Sequence, residues 1–247
     1  MGRRVLITGA AGDLGSAVAQ ILAEQGDRVV LCDIDADRLE HVRARLPSGS
    51  HQTVPLDVSD EGAVTALASS LRADGGGLDA MFNNAGVNGA TVEIAQHPLD
   101  DFRRTFEVNV FGNFLIQKHM LPILAEAGDA WVVNTASEAG TRANARRGCY
   151  AATKAAVIQL TRAVALEYAA VGVRVNVLCP GPIKGQFMDR SEAGLPDPQA
   201  ARVAIAAGSA LGRYASAEEI ALHVRYLMTD APPYLTGSVQ LIDGCRR

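Results

Sequence analysis

The sequence predicts an α/β protein: a doubly wound parallel sheet of six or seven strands with helices on both faces. Three observations carry that prediction. Short β-branched runs alternate with longer segments of helical periodicity. The order strand, helix, strand recurs along the chain, which requires parallel strands joined by right-handed crossovers. The 247 residues are enough for one sizeable core, so residues 1–247 are expected to form a single domain.

The elements follow in order. Residues 3–8 are an apolar strand closed by Gly9, and residues 14–25 repeat Leu14, Val18, Ile21 and Leu22 at helical spacing. Strand 28–33 and helix 36–46 come next, then strand 51–56, helix 61–72 and strand 78–83. Residues 99–125 form one long helix, bent near its start, followed by strand 130–136, helix 150–171 and strand 173–178. Helix 217–227 and strand 238–242 complete the sheet. Residues 180–212 are least regular, with Pro180, Gly181, Pro182, Gly185, Gly194, Pro196 and Pro198. Their first half is expected to be a mobile loop and 199–207 a short helix, with the substrate loop over about 182–212.

Composition narrows the function classes. Hydrophobic residues make up 48% and charged residues 20%, as in ordinary soluble proteins. The net charge of −4 gives no long-range attraction to nucleic acid or an anionic membrane. No apolar stretch is long enough to span a bilayer, and the start is too short for a secretion leader, so a cytoplasmic location is expected. Cys32, Cys149, Cys179 and Cys245 are scattered, so neither a disulfide framework nor a metal site is expected.

The segment Thr8-Gly-Ala-Ala-Gly-Asp-Leu-Gly15 links the first strand to the first helix. Glycines there permit a tight turn and close approach of backbone to a pyrophosphate, and the helix N-terminus offers free N–H groups. Gly9, Gly12, Asp13, Leu14 and Gly15 therefore read as a phosphate loop in a Rossmann-like fold. Asp33 ends the second strand, 24 residues after Gly9. A carboxylate there accepts from adenosine ribose hydroxyls and repels a 2′-phosphate. Ala10, Ala11 and Gly12 add no basic group. Both features favour NAD over NADP, with Arg38 placed on the exposed face of the second helix.

Further motifs extend the pattern. Asn83-Asn-Ala-Gly86 follows the fourth strand, and Asn109 lies in Glu-Val-Asn-Val. Ser137 follows the fifth strand, 13 residues before Tyr150-Ala-Ala-Thr-Lys154; Pro180-Gly181 and Leu235-Thr-Gly-Ser come later. Together they resemble the single-domain members of the short-chain dehydrogenase/reductase family over nearly the whole chain. The YxxxK spacing alone is a common accident; the combination is specific.

The resemblance implies catalytic roles for Asn109, Ser137, Tyr150 and Lys154. It puts Asp57 and Val58 by the adenine, and Asn83, Ala85 and Gly86 along the adenosine and ribose. Tyr150 and Lys154 also touch the nicotinamide ribose, and Pro180, Gly181 and Ile183 pack beside the nicotinamide. It further implies a homotetramer paired through the long helices. Two positions depart from the family's spelling. Asp13 stands where TGxxxGxG has its middle glycine; the spelling TGxxGxxG belongs to longer, epimerase-like members with a larger substrate domain. Asp13 is expected to cap the first helix. Gly185 stands where the family often has Thr, which leaves only backbone to hold the nicotinamide carboxamide.

The chemistry follows from residue types. Tyr150 and Lys154 are four apart at a helix start and share one face. The Lys154 charge and oxidised nicotinamide are expected to bring the phenol down toward the working pH, making Tyr150 a general acid/base. Ser137 can hold the substrate oxygen. Asn109 is implied by the resemblance to organise a water linking Lys154 to solvent. Glu138, Ala139, Asn144, Arg146 and Cys149 are expected to line the substrate pocket, Cys149 as a wall rather than a nucleophile. His97 and His119 read as structural. The expected substrate is a small alcohol or ketone. The alternatives are a non-catalytic NAD-binding regulator on the same fold, and an epimerase or dehydratase suggested only by the Gly-loop spelling.

Overall fold

A computed structural model describes residues 2–246. Its centre is a seven-stranded sheet of order β3-β2-β1-β4-β5-β6-β7, with every neighbouring pair parallel. The strands are β1 (Arg4–Thr8), β2 (Arg28–Asp33), β3 (Gln52–Pro55), β4 (Ala80–Asn83), β5 (Ala130–Thr135), β6 (Val173–Pro180) and β7 (Val239–Ile242). The helices are α1 (Asp13–Glu24), α2 (Ala36–Arg43), α3 (Glu61–Ala73), α4 (Leu99–Phe106), α5 (Asn113–Ala127), α6 (Gly148–Tyr168), α7 (Gln186–Ala193), α8 (Pro198–Ala207) and α9 (Ala217–Thr229).

Every residue of β1 and β4 is buried, because helices cover the sheet on both sides. Alternate side chains of one strand enter opposite cores. Leu6 and Met81 join Val64, Ile116 and Met120 in one. Val5, Ile7 and Phe82 join Val18, Leu22, Ile220 and Val224 in the other. Each fully buried side chain of this size stabilises the fold by about 1.5–3 kcal/mol. The chain runs from β1 outward to β3, then returns to β4 and runs outward to β7. The carboxyl ends of β1 and β4 therefore flank the crevice where strand order switches.

Strand and helix ends agree with expectation within two residues, except that α2 stops at Arg43 and α6 at Tyr168, where a 3-10 turn, Ala169–Val171, takes over. Two larger differences bear on function. The expected helix 99–125 is two helices separated by a wide π turn, Glu107–Gly112. Such turns re-aim side chains at functional positions. The expected mobile loop contains α7. Its polar sequence has no apolar period, and long-range contacts hold it: Glu192 is buried, pairs with Arg202 at 2.6 Å and accepts from the Tyr214 hydroxyl at 2.6 Å. Helix α8 begins one residue before the expected 199, at a Pro suited to the first helical position, and Asp197 caps it. Among the described residues no helix is long and apolar enough to cross a membrane.

Candidate active site

A cleft of about 430 Å³ opens at the carboxyl ends of β1, β4, β5 and β6. One end is the phosphate loop. Gly9 turns the chain at φ +64°, where an L side chain is strained, and a Cβ there would stand 3.0 Å from Ala85 Cα. Gly12 is extended and precedes α1 with no side-chain cap, so the first-turn N–H groups of α1 lack a side-chain acceptor. Uncapped donors beside a cradle too tight for a Cβ fit a dinucleotide pyrophosphate. Gly9, Gly12, Asp13 and Leu14 line the cleft. Gly15 lies behind it, where a Cβ would stand 2.8 Å from Ala10 Cα, so it lets α1 pack on the loop.

Asp13 does not cap α1. It is the first helical residue, and capping needs an extended residue one step earlier, the place taken by Gly12. Its Oδ2 instead accepts from the Gln186 backbone N–H at 2.8 Å, across the cleft at the start of α7. Gly185 adjoins this bond at φ +147°, and a Cβ there would stand 2.5 Å from Asp13 Cγ. The two departures from the family's spelling thus meet in space.

Asp33 lines the cleft, its Oδ2 accepting from Ala11 N at 3.0 Å and its Oδ1 from Asp35 N at 3.2 Å. Arg38 is half-buried rather than on an exposed face: it lines the cleft and donates to Ala11 O at 2.6 Å. Its side chain is long enough to fold back over the phosphate loop. Asp57 and Val58 are not among the lining residues. Asp57 accepts from Ser59 N at 2.9 Å and Ser59 Oγ at 2.6 Å, closing its own turn. Asn83 is buried below the cleft, accepting from Thr8 Oγ1 at 3.2 Å and donating to Asn113 O at 3.1 Å. Ala85, Gly86, Pro180, Gly181 and Ile183 line the cleft.

At the other end, β5 delivers Ser137 and the first turns of α6 deliver Tyr150 and Lys154. All three line the cleft and are buried. Lys154 donates to Thr135 O at 2.9 Å, and its Nζ lies 5.7 Å from the Tyr150 ring centroid. Burial pushes its ammonium down to about 8. Asn109 sits in the π turn, fully buried, and accepts from Val87 N at 2.7 Å. It donates to Val87 O at 2.9 Å and Thr153 Oγ1 at 3.1 Å, so it holds the segment that follows Gly86. A Cβ on Gly86 would stand 3.1 Å from Asn109 Oδ1 and 3.3 Å from Lys154 Nζ, which brings the two side chains to the same glycine.

The expected lowering of the Tyr150 phenol is not a property of the protein alone. Burial raises it above its ordinary value; the Arg147 guanidinium and a hydrogen bond with Ser137 act in the opposite direction. Desolvation wins because the ring is 6% exposed.

Of the residues expected to line the substrate pocket, Glu138, Ala139 and Asn144 line the cleft; Arg146 and Cys149 do not. Cys149 precedes Tyr150 by one residue, about 100° around the helix, and its buried thiol faces Phe102 O at 3.8 Å. Arg146 is exposed at φ +66° and points to Thr91 O at 3.4 Å. Residues that the sequence did not single out line the cleft as well, among them Phe187, Arg190 and Arg246. Glu138 lies between Arg142 at 2.7 Å and Arg246 at 3.1 Å. Arg246 is distant in sequence, and no local signal marks it. Among the described residues no cluster of three His, Cys, Asp or Glu side chains is arranged to hold a metal ion.

Known proteins share this arrangement of chain. A family model described as enoyl-(acyl carrier protein) reductase matches residues 9–245. A cis-4-hydroxycyclohexanecarboxylate dehydrogenase of Sinomonas cyclohexanicum is 37% identical over 246 residues, spanning 98% of this chain and 95% of its own. Levodione reductase of Leifsonia aquatica is 36% identical over 249 residues, spanning 98% and 93%. A crystal structure of levodione reductase aligns with TM-score 0.94 and 35% identity, over 98% of this chain and 96% of that one. The structure of NAD⁺-bound xylitol dehydrogenase aligns with TM-score 0.92 and 32% identity, over 98% of both chains.

Proposed function

Because this chain belongs to the short-chain dehydrogenase/reductase family, we propose that it is an NAD-dependent oxidoreductase acting on a secondary alcohol or its ketone, with Tyr150 as general acid/base. One observation carries the proposal. Ser137, Tyr150 and Lys154 converge at one end of the cleft whose other end is the uncapped start of α1.

When bound, NAD supplies a nicotinamide that accepts or returns a hydride at the carbinol carbon. The chain's residues do the rest. Ser137 positions the substrate oxygen by a hydrogen bond. Tyr150 takes the hydroxyl proton in oxidation and returns it to the carbonyl oxygen in reduction. Lys154 sits on the Tyr150 face of α6, where its ammonium favours the phenolate. Asn109 fixes residues 86–87 beside Lys154 and is the side chain through which a water would reach it. The α1 N-terminus would hold the pyrophosphate, and Asp33 the adenosine ribose.

The choice of NAD rests on Asp33 at the cleft and on the NAD⁺-bound xylitol dehydrogenase that this fold resembles. The proposal includes one dinucleotide-binding domain over residues 1–247, a cytoplasmic location and a homotetramer. Phe111, Phe114 and Leu166 leave apolar surface on the side of α5 and α6.

The test is NAD reduction with a panel of cyclic and acyclic secondary alcohols, wild type beside Tyr150→Phe. Turnover by wild type and its loss, by about 10²-fold or more, in the variant is expected. NADH binding without turnover of any panel member, identical in both proteins, would leave a non-catalytic NAD-binding regulator instead.

A further inference from the structure

Arg147 belongs to no ion pair among the described residues, yet it lines the cleft. Its guanidinium carbon lies 4.7 Å from the Tyr150 ring centroid, nearer than the 5.7 Å of Lys154 Nζ. One Nη2 donates to Asn88 Oδ1 at 2.8 Å. Asn88 in turn donates to Phe187 O at 2.8 Å, on the first turn of α7. The Phe187 ring faces Tyr150 at 6.2 Å between centroids. A guanidinium is thus held over the phenol by the loop after β4, and that loop is held by α7.

We propose that Arg147 is a positioning residue for Tyr150: its guanidinium, held over the phenol ring and tethered through Asn88 to α7, adds a second positive charge, beside that of Lys154, that favours the phenolate. This rests on the reading of Tyr150 as the general acid/base.

Groups from every neighbouring element also face Tyr150. On its own helix, Lys154 Nζ lies 5.7 Å from the ring centroid, and burial pushes its ammonium down to about 8. Arginine keeps its charge above that value. From the end of β5, Glu138 opposes the phenolate, and Arg142 and Arg246 flank that carboxylate. From the same segment Ser137 bonds the phenol. From β6 the Cys179 thiol is pushed up to about 11 by burial and stays neutral over most of the working range. From α7 the neighbour is an uncharged ring. After burial, Arg147 is the largest influence on Tyr150, and it acts toward the phenolate.

The test uses two readouts. The first is the ultraviolet absorbance of phenolate in the enzyme without substrate, with Tyr150 isolated by subtracting the matching Tyr150→Phe spectrum. The second is the pH profile of kcat/KM for alcohol oxidation. Arg147→Gln is expected to move phenolate formation to higher pH. It should lower kcat/KM on the acid limb by about tenfold while leaving the alkaline plateau unchanged. Arg147→Lys should restore most of the acid limb below the pH at which lysine deprotonates, and Asn88→Ala should give a smaller shift in the same direction. Coincident phenolate curves for wild type and Arg147→Gln, with native circular dichroism in both, overturn the proposal. So does a uniform fall in kcat at all pH values that Arg147→Lys does not rescue. Absence of turnover in wild type fails the proposed function instead, and the absorbance readout still decides the role of Arg147.

Discussion

Gly185→Ala is the perturbation with the most legible energetics. The residue sits at φ +147°, outside the range of ordinary L residues, and forcing alanine there costs about 1–3 kcal/mol in backbone strain. Its Cβ would also stand 2.5 Å from Asp13 Cγ and 3.1 Å from Oδ1, so the carboxylate must move. That movement breaks the exposed 2.8 Å bond to Gln186 N, worth about 1 kcal/mol. The sum is a loss of about 2–4 kcal/mol. Asp13→Gly alone removes only the bond and costs about 1 kcal/mol. In the double variant the carboxylate is gone, so alanine meets the strain but no collision. The bond is lost once and counted twice, so the two losses should fall short of additivity by about 1 kcal/mol, beyond the scatter of independent sites. Urea unfolding of the four proteins measures the cycle. Hydrogen exchange at the Gln186 amide, expected about fivefold faster in Asp13→Gly, reads the bond itself. Additive losses, or unchanged exchange at Gln186, would refute a direct contact between the phosphate loop and α7.

Two further outcomes follow from the charges. Burial pushes the Lys154 ammonium down to about 8 in the fold, against an ordinary 10.5, so between those values the unfolded chain binds more protons and stability rises with pH. Lys154→Met removes a burial cost of about 3 kcal/mol at pH 7, less about 1 for the acceptor left at Thr135 O, and the gain should vanish by pH 10.5. Parallel urea unfolding across that range checks it; a gain independent of pH would contradict the burial account. For the cofactor, Asp33→Ala should weaken NADH by about tenfold or more, with NADPH unchanged or tighter, in fluorescence titrations. Tighter binding of NADPH than NADH by the unaltered protein would overturn the role given to Asp33.

The parts of the site legible in sequence are those whose geometry is local. Tyr150 and Lys154 share a face because four residues make about one helical turn. Gly9 and Gly12 form a strand-to-helix turn from neighbouring residues alone. The alternation of strands and helices implied the parallel sheet, since crossovers have one hand. Even the proposed catalytic grouping needed more than spacing. The family resemblance supplied Ser137 and Asn109, and the fold put Ser137 beside Tyr150 and Asn109 beside Gly86.

Other features depended on contacts between distant segments. Asp13 reads as a helix cap in one dimension, but its partner is Gln186, 173 residues away. The wide turn at Glu107–Gly112 looks like continuous helix by periodicity, because one extra residue in a turn hardly alters the apolar pattern. Helix α7 looks like loop because its own residues bury little and Glu192, Arg202 and Tyr214 hold it from outside. Nothing in the local sequence pairs Arg147 with Tyr150; Asn88 and α7 place it over the ring. Sequence by itself therefore determined the fold class and the chemical groups at hand, through local propensity and period. Tertiary structure decided the partners, and with them the charge that Tyr150 experiences, because burial and electrostatic neighbours arise only when distant segments pack together.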